Sequence, residues 1–280
     1  MSIYTSTTGT GGLLPPEFGA LVERPVEAMS VALQAGTVIK TSANSYHVPV
    51  LTGDVTVGAV AEGAEITPAD AAFTEITVSP AKFAGLSIVS REMAEDSSPS
   101  VGDNIGKSIA RSIAKGVDSA LFNTLASPNP AGLSALAGIS AVEAPLTYAN
   151  LDPFAEALSL VESNGGNVDY WVMDAAEALD LAQLKDASGS NRSLLNSDLT
   201  AEGRRSLLGR PILVTPQVPA GVVYGISKAD MLTVVRDDTR LEVDKSVYFT
   251  SDRVAIKGTM RVAFAFPTPA AHVRVTHAAA

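Results

Sequence analysis

Near the middle of the chain an aliphatic residue recurs at every fourth position over 25 residues. The series runs through Val101, Ile105, Ile109, Ile113, Val117, Leu121 and Leu125. Each four-residue step carries this stripe roughly 40° further around an α-helix, so the apolar face winds slowly around the rod. The spacing predicts a helix over residues 99–125, roughly 37 Å long. Because its apolar face turns, several other elements must cover it.

A second long element, near the end of the chain, provides a cover of matching length. Residues between 253 and 266 alternate between an apolar and a polar side. The apolar side consists of Val254, Ile256, Met260, Val262, Phe264 and Phe266, and the polar side includes Arg253, Lys257, Thr259 and Arg261. A period of two over this length predicts a strand of roughly 40 Å, on which the long helix can lie.

Two segments before the helix predict an unusually long β-hairpin. Asn44–Leu51 and Phe73–Ser79 alternate as strands, and the extended pattern continues through Lys82–Ser90. The intervening residues are rich in turn formers, and a loop of that length in a compact domain is usually functional. From Thr41 to Ala81 there is no Lys or Arg, but there are five acidic residues, Asp54, Glu62, Glu65, Asp70 and Glu75. A projection of one charge sign is expected to dock on a basic surface.

Composition restricts the class of protein. The 280 residues carry a net charge of -10 and no cysteine, which argues against a nucleic-acid coat and excludes disulfides and thiolate metal sites. Hydrophobic residues make up 46% and charged residues 18%, as in a subunit that buries surface against partners. There is no signal peptide and no apolar run of the ~18 residues that span a membrane. We therefore expect synthesis in the cytoplasm and no membrane contact.

Motifs for catalysis or ligand binding are missing from the sequence. Gly102–Ser108 comes close to a phosphate-binding loop, but only three residues separate its glycines where four are needed, and no buried strand precedes it. The histidines His47, His272 and His277 lack the spacing of metal ligands. The acidic pair at 237–238 predicts a turn rather than a metal site. We expect no enzymatic activity, no cofactor and no metal.

The remaining segments complete an α+β chain. Residues 1 to about 30 are rich in Ser, Thr, Gly and Pro, and they predict an arm that becomes ordered only on a partner. Residues 131–235 alternate short helices and strands, which predicts a mixed α/β module. Asp152 and Pro153 open one of its helices, and Trp171 is predicted to lie in its core.

Five local sequences follow one another along the chain in a recognisable order. They are AVAEGAEIT, FTEITVSPAKFAGLSIVSREM, ALFNTL followed by AGLSAL, LLGRPILVTPQVPAG, and VAIKGTMRVAFAFPTPAAHVRV. The arm, hairpin, long helix, α/β module and terminal strands also come in a consistent order. From about residue 30 onward the chain resembles the major capsid proteins of tailed bacteriophages, which have the Hong Kong 97 fold.

The resemblance implies a division of the chain. Residues 1–30 would form an N-terminal arm, and residues 46–85 would form an extended hairpin loop that reaches over a neighbouring subunit. The peripheral domain would comprise residues 31–45, 86–130 and 236–265, with residues 99–125 as its spine helix. The axial domain would comprise residues 131–235 and 266–280 and gather around five-fold and six-fold axes.

The resemblance also implies a function and a set of partners. The chain would assemble with itself into hexamers and pentamers of an icosahedral head shell, which encloses double-stranded DNA without sequence-specific binding. Assembly would take place in the host bacterial cytoplasm, and the product would be the virion. Only about 30 residues precede the fold, so a separate scaffolding protein is expected, together with a portal protein and a cement or decoration protein.

Some members of this family weld their shells with Lys–Asn isopeptide bonds promoted by a Glu. At the matching positions this chain has Gly63 in place of the lysine, Asp252 in place of the asparagine and Thr259 in place of the glutamate. The resemblance therefore implies a shell without autocatalytic cross-linking, held together by non-covalent contacts.

The charge pattern leads to a hypothesis about contacts between subunits. The acidic hairpin of one subunit is expected to lie near the basic edge of the long helix in its neighbour. The residues assigned to inter-subunit contact are Asp54, Glu62, Glu65, Asp70, Arg91, Lys107, Arg111, Lys115, Asp252 and Arg253. Each contact can be weak, because closing a ring makes the later contacts effectively intramolecular.

Three alternatives remain at this point. An encapsulin, a bacterial compartment of the same fold with an enzyme cargo, would share most of these features, although the long hairpin and the Gly/Thr-rich arm favour a phage shell. A soluble α/β enzyme would need a clustered set of catalytic residues. A minor head or tail component would differ in its copy number per particle.

Overall fold

The computed structural model describes the chain between Met29 and His277 with several gaps. The described residues are 29–61, 63, 65, 68, 70–90, 100–185, 190, 194–195, 205–244 and 246–277, of which 100–104, 237–239 and 249 are described by their backbone only. The predicted N-terminal arm lies outside the described residues apart from Met29 and Ser30, and so do Glu62 and Arg91.

The fold is α+β, as the sequence predicts. The helices of the described residues are α1 Val31–Ala35, α2 Ser100–Phe122, α3 Asp152–Ser163 and α4 Ala175–Gln183. The strands are β1 Thr37–Thr41, β2 Tyr46–Gly53, β3 Ala72–Val78, β4 Ala81–Ser90, β5 Ser140–Ala144, β6 Tyr170–Met173, β7 Ser206–Leu207, β8 Arg210–Val214, β9 Val222–Ile226, β10 Leu232–Asp244, β11 Arg253–Ala265 and β12 Val273–His277. Within the described part of the chain, no helix combines the length and the apolar character needed to cross a bilayer.

The long predicted helix is α2, and it lies on a four-stranded sheet with the strand order β1-β10-β11-β4. Ile109, Ile113, Val117 and Leu121 are buried, whereas Leu125 lies beyond the end of the helix and is exposed. The long alternating strand is β11, and its apolar side shares one hydrophobic core with α2. The predicted packing of a long helix on a long strand is therefore confirmed.

A pair of glycines brings α2 close to the sheet. Gly85 of β4 and Gly258 of β11 are directly opposite each other in the strand register, and both face Ile109 of α2. A Cβ atom added to Gly258 would lie 2.4 Å from Cγ2 of Ile109, and one added to Gly85 would lie 3.6 Å from the same atom. The Ile109 side chain thus occupies a depression in the sheet. This depression exists only because residue 258 has no side chain.

A second sheet has six strands in the order β5-β12-β9-β6-β8-β7. The strand β12 pairs in parallel with β5 and antiparallel with β9, so the last described strand lies inside this sheet. Trp171 of β6 is fully buried, as predicted, and its ring meets that of Phe154 of α3 edge-on with 5.4 Å between centroids. This sheet and its helices form the mixed α/β part of the chain.

The strand β10 differs from the sequence prediction. Asp237 and Asp238 lie within this strand of 13 residues, so the turn predicted there is wrong. The pairing of β10 with β11 is irregular between Arg236 and Arg240, and such an irregularity accommodates turn-forming residues without ending a strand. The strands β4 and β10 span the positions 85–86 and 235–236, at which the resemblance implies domain boundaries.

The hairpin forms a third, separate sheet of two strands. Strands β2 and β3 pair antiparallel from Tyr46 opposite Val78 to Gly53 opposite Ala72, with one irregularity before Gly53. The residues 54–71 between them contain no regular secondary structure where they are described. Ser79 and Pro80 then join β3 to β4, so the ribbon is continuous with the edge of the four-stranded sheet.

Candidate inter-subunit interface

The β2–β3 ribbon has one face that the other described residues of the subunit leave uncovered. Strand alternation places Leu51 and Phe73 opposite each other on this face, and their side chains are 50% and 72% exposed. His47 and Glu75 lie on the same face and are joined by a hydrogen bond from the imidazole to the carboxylate. The other face carries Val48, which is buried. An exposed aromatic residue beside an exposed leucine is typical of a surface that a partner covers.

The loop that follows β2 combines apolar and acidic side chains. Val55, Val57 and Val60 are 48%, 89% and 47% exposed. Asp54, Glu65 and Asp70, three of the acidic residues assigned to subunit contact, are also exposed. The fourth, Glu62, lies outside the described residues. The sequence predicts the acidic character of this loop, but its exposed valines became evident only from the structure.

Three of the five basic residues assigned to the same contact form one exposed edge of α2. Lys107, Arg111 and Lys115 are four residues apart, so they follow one another along the helix surface, and all three are exposed. Arg91, the fourth basic residue of the predicted set, lies outside the described residues. Among the described residues no salt bridge joins this edge to the acidic loop of the same subunit. The two charged sets are therefore available to other molecules.

A groove of about 300 Å³ runs beside the basic edge of α2. Its walls come from the N-terminal end of the described chain, from α2 and from the segment after β8. The lining residues are Met29, Val31, Arg111, Ala114, Lys115, Asp118, Val214, Thr215, Pro216 and Gln217. An apolar floor with two cations at its rim suits a segment that carries both aliphatic and acidic side chains.

The remaining residues of the predicted contact lie at the turn before β11. Asp252 follows a short 3₁₀ turn at Phe249–Ser251 and has a φ of 50°, in the left-handed region that Asp tolerates better than most residues. Arg253 begins β11 opposite Ser90 and is exposed. Gly63, at the position matching the family's lysine, lies in the exposed loop with a φ of 80°.

Sequence reasoning missed two buried polar clusters. In the first, the Asp118 carboxylate on α2 accepts hydrogen bonds from Ser30 and from the first N–H groups of α1. In the second, Nε2 of His277 lies 3.0 Å from the carboxylate of Glu177, and Nδ1 lies 2.6 Å from the carbonyl oxygen of Pro145. Both ring nitrogens face acceptors, an arrangement that the doubly protonated, positively charged imidazole satisfies.

Only a weak signal of these clusters exists in the sequence. Asp118 stands between Val117 and Leu121 of the buried stripe, and a carboxylate beside an apolar stripe needs a partner. Nothing in the sequence pairs His277 with Glu177, because 100 positions separate them. Both clusters fix the positions of chain segments, and Asp118 also lines the groove beside the basic edge of α2.

The chain resembles known proteins in both sequence and fold. The family model described as the phage capsid family matches residues 10–276. No curated protein matches the sequence. Solved structures with the same fold include one from Microbacterium phage Oxtober96, at a TM-score of 0.74 and 19% identity over 98% of this chain and 96% of that one. Another is from Mycobacterium phage Bobi, at a TM-score of 0.73 and 19% identity over 90% of this chain and 91% of that one.

A third similar structure is the capsid of a native GTA particle, computed with C5 symmetry. It gives a TM-score of 0.70 and 21% identity over 100% of this chain and 96% of that one. These likenesses confirm the predicted α+β fold of the Hong Kong 97 type. The chain thus belongs to the phage capsid family, and it is a structural protein of a capsid shell rather than an enzyme.

Proposed function

We propose that this chain is the major capsid protein of a tailed phage and that it builds the icosahedral head from pentamers and hexamers. The observation that carries the proposal is the β2–β3 ribbon, whose uncovered face and valine-rich loop have no cover within the described subunit. Extended projections give a subunit more surface for contact than a compact body of the same length offers. The relationship to a capsid computed with C5 symmetry supports rings of five subunits.

Charge complementarity determines which surfaces of neighbouring subunits meet in these rings. The acidic loop of one subunit, with Asp54, Glu65 and Asp70, faces the Lys107–Lys115 edge of α2 in the next subunit around the ring. Such a contact is heterologous, because it joins two different surfaces, and heterologous contacts close into rings when the rotation between subunits allows it. The turn at Asp252 and Arg253 contributes to the same interface in this proposal.

The shell is held by non-covalent contacts in this proposal. Glycine at position 63 has no amine to form an isopeptide bond, and Thr259 has no carboxylate to promote one. The peripheral domain (31–45, 86–130, 236–265), the hairpin loop (46–85) and the axial domain (131–235, 266–280) take the roles that the sequence suggested. A separate scaffolding protein, a portal protein and a cement protein complete the head in the host cytoplasm.

The enclosed polymer is double-stranded DNA, which the shell holds without reading its sequence. The net charge of -10 supports this role, because an acidic wall repels phosphate groups. The packed DNA therefore does not adhere to the shell. An encapsulin with an enzyme cargo is the alternative. Electron microscopy of purified particles separates the two, because it distinguishes a tailed, DNA-filled head from a small sphere filled with protein.

Sedimentation of the recombinant chain, followed by electron microscopy, tests assembly directly. We expect rings of five or six subunits and closed shells for the wild type. A double variant Leu51→Ser with Phe73→Ser should assemble poorly while its melting temperature stays unchanged, because both side chains are already exposed in the subunit. Leu160→Ser, at an exposed leucine on α3, is the matched control. A wild-type protein that remains a compact monomer at all concentrations would contradict the proposal.

A further inference from the structure

The strand β4 forms one edge of the four-stranded sheet. All its residues from Ala81 to Ser90 pair with β11, and no other described strand lies on its outer side. Natural edge strands are usually protected by charges, prolines or bulges, because their free N–H and C=O groups invite pairing with another chain. Here the strand has no proline and one charged residue, Lys82, while Leu86 and Ile88 are 60% and 43% exposed. Within the described part of the chain, this edge is thus open and partly apolar.

The loop after β2 offers a segment suited to such an edge. Residues 54–61 make no backbone hydrogen bond to any other described residue. Val55, Thr56 and Val57 are β-branched, a residue type that strands prefer, and Val57 is 89% exposed. The subunit therefore has an unpaired edge and an unpaired segment with strand-forming residues.

We propose that residues 54–61 of one subunit add as a strand to the outer edge of β4 in a second copy. The proposal rests on the proposed function, because it specifies how the hairpin holds its neighbour in the shell. Main-chain hydrogen bonds would give the contact its strength, and alternate side chains would fix its register.

An antiparallel register with Val57 opposite Leu86 matches the side chains on both faces. On one face it places Val55 beside Ile88, and Ala59 beside Ala84. On the other face it places Gly58 beside Gly85. It also places Thr56 beside Ser87 and Val60 beside Phe83, and Asp54, at the end of the segment, beside Val89. The apolar pairs add about the interaction that cross-strand neighbours contribute in sheets.

The charges agree with the same register. It places the acidic residues that follow Ala61 just beyond Lys82. Phe83 of β4 packs on Gly116, so this end of β4 lies against α2, the helix that carries the basic edge on its exposed side.

In this structure the segment does not pair with β4 of its own subunit. Strand β3 has seven residues, which span roughly 23 Å, and Ser79 and Pro80 follow before β4 begins. The ribbon thus carries its tip roughly 23 Å away from the point where β4 begins. In a shell, other copies of the same chain are present at the highest local concentration. A second copy is therefore the expected partner of the β4 edge.

The cysteine-free chain allows a clean cross-linking test. The Val57→Cys and Leu86→Cys proteins are prepared separately, mixed, assembled and oxidised, so that any mixed disulfide joins two different chains. We expect a cross-linked dimer in assembled shells, because directly opposed Cβ atoms lie about 4.5–5.5 Å apart. Mixing Val57→Cys with Ser87→Cys is the matched control and should give at least roughly tenfold less dimer, because Ser87 points to the other face.

A second test examines the backbone. Successive N–H groups along a strand point in opposite directions, so one of the variants Thr56→Pro and Val57→Pro must remove a ladder hydrogen bond. We expect that variant to lower the shell yield by roughly tenfold or more, whereas Val57→Thr should assemble normally. Shells that form without the Leu86 cross-link, or with both proline variants at full yield, would overturn the strand addition and leave the proposed function intact. A wild type that forms no oligomer would overturn both.

Discussion

Ser30 donates a hydrogen bond of 2.6 Å from Oγ to Oδ1 of Asp118, which lies 88 positions further along the chain. The same carboxylate accepts the backbone N–H groups of Val31 at 3.1 Å and Ala32 at 2.9 Å. Asp118 is 3% exposed, and its burial raises the pKa of the carboxyl although the three hydrogen bonds lower it. A buried side chain of α2 thus holds the beginning of α1, next to the groove beside the basic edge.

Replacing Asp118 should weaken the subunit strongly. Asp118→Ala leaves two buried N–H groups without an acceptor, and each such group costs about 1–3 kcal/mol. We expect the free energy of unfolding to fall by about 2–5 kcal/mol in urea denaturation of the unassembled protein. Ser30→Ala removes one donor and should cost only about 1 kcal/mol. Equal losses in the two variants would contradict the anchoring role of the carboxylate.

The two glycines beneath Ile109 should respond differently to the same substitution. Gly258→Ala places a methyl group 2.4 Å from Cγ2 of a β-branched side chain, which cannot easily move aside. We expect a loss of about 1–3 kcal/mol, as for overpacked cores. Gly85→Ala, with its nearest contact at 3.6 Å, should change stability by less than about 1 kcal/mol. Thermal denaturation of the two variants checks this, and a similar cost for both would show that Gly258 is not the close contact.

The stability of the subunit should depend on pH through His277. Burial lowers the pKa of His277, but the hydrogen bonds to Glu177 and Pro145 and the charges of Glu177 and Asp180 outweigh it and raise the pKa above its ordinary value of 6.5. With a raised pKa in the folded state, the stabilisation is fully present below about pH 6.5 and is lost as the pH rises through the raised value.

Melting temperatures of the wild type and of Glu177→Gln, recorded from about pH 5.5 to pH 9, measure this contribution. We expect the gap between the two proteins to be widest at the acidic end and to narrow as the imidazole loses its proton. Parallel curves would mean that the ion pair does not form in solution.

Reversing the charges of the hairpin should impair assembly and spare the subunit fold. Glu62→Lys with Glu65→Lys is expected to slow shell formation, because it turns attraction to the basic edge of α2 into repulsion. Adding Lys107→Glu and Arg111→Glu should restore assembly in part, and light scattering follows the rate. Lys228→Glu, at an exposed lysine outside α2, is the control and should assemble normally. High salt should weaken the wild-type contact by screening it. If the second pair of substitutions does not restore assembly, the hairpin does not contact the basic edge of α2.

Denaturing gels of mature particles should show a single band at the mass of one chain. Position 63 carries glycine and position 259 threonine, so neither the amine nor the carboxylate of the family's cross-link is present. Gly63→Lys with Asp252→Asn and Thr259→Glu restores the three residue types and tests whether the positions meet between subunits. Covalent ladders from the wild type would contradict the assignment.

The parts of the fold that the sequence predicts are those encoded by a long local pattern. Seven aliphatic residues at a fixed spacing predicted α2 to within a few residues, and the alternation from Val254 to Phe266 predicted β11. The strand β1 was missed because five residues are too few to show a period, and its parallel pairing with β10 joins segments far apart in the chain. The turn predicted at Asp237 and Asp238 was wrong because turn-forming residues also occur at irregular points within strands.

The interface is predictable only in part, for a physical reason. The absence of Lys and Arg from Thr41 to Ala81 reveals the sign of the hairpin's charge. Which face of the ribbon stays uncovered, with Leu51 and Phe73 on it, depends on how the ribbon meets the rest of the subunit, and this is a tertiary property. The pairs Ser30–Asp118 and Glu177–His277 were missed for the same reason.

The position of β12 has a consequence for the timing of synthesis. This strand fills the slot between β5 and β9, yet it is made after every other described strand. A nascent chain on the ribosome therefore keeps a gap in its six-stranded sheet until residues 273–277 have emerged from the exit tunnel. Polysomes, where many incomplete copies sit close together, thus hold chains in which this sheet is not yet complete.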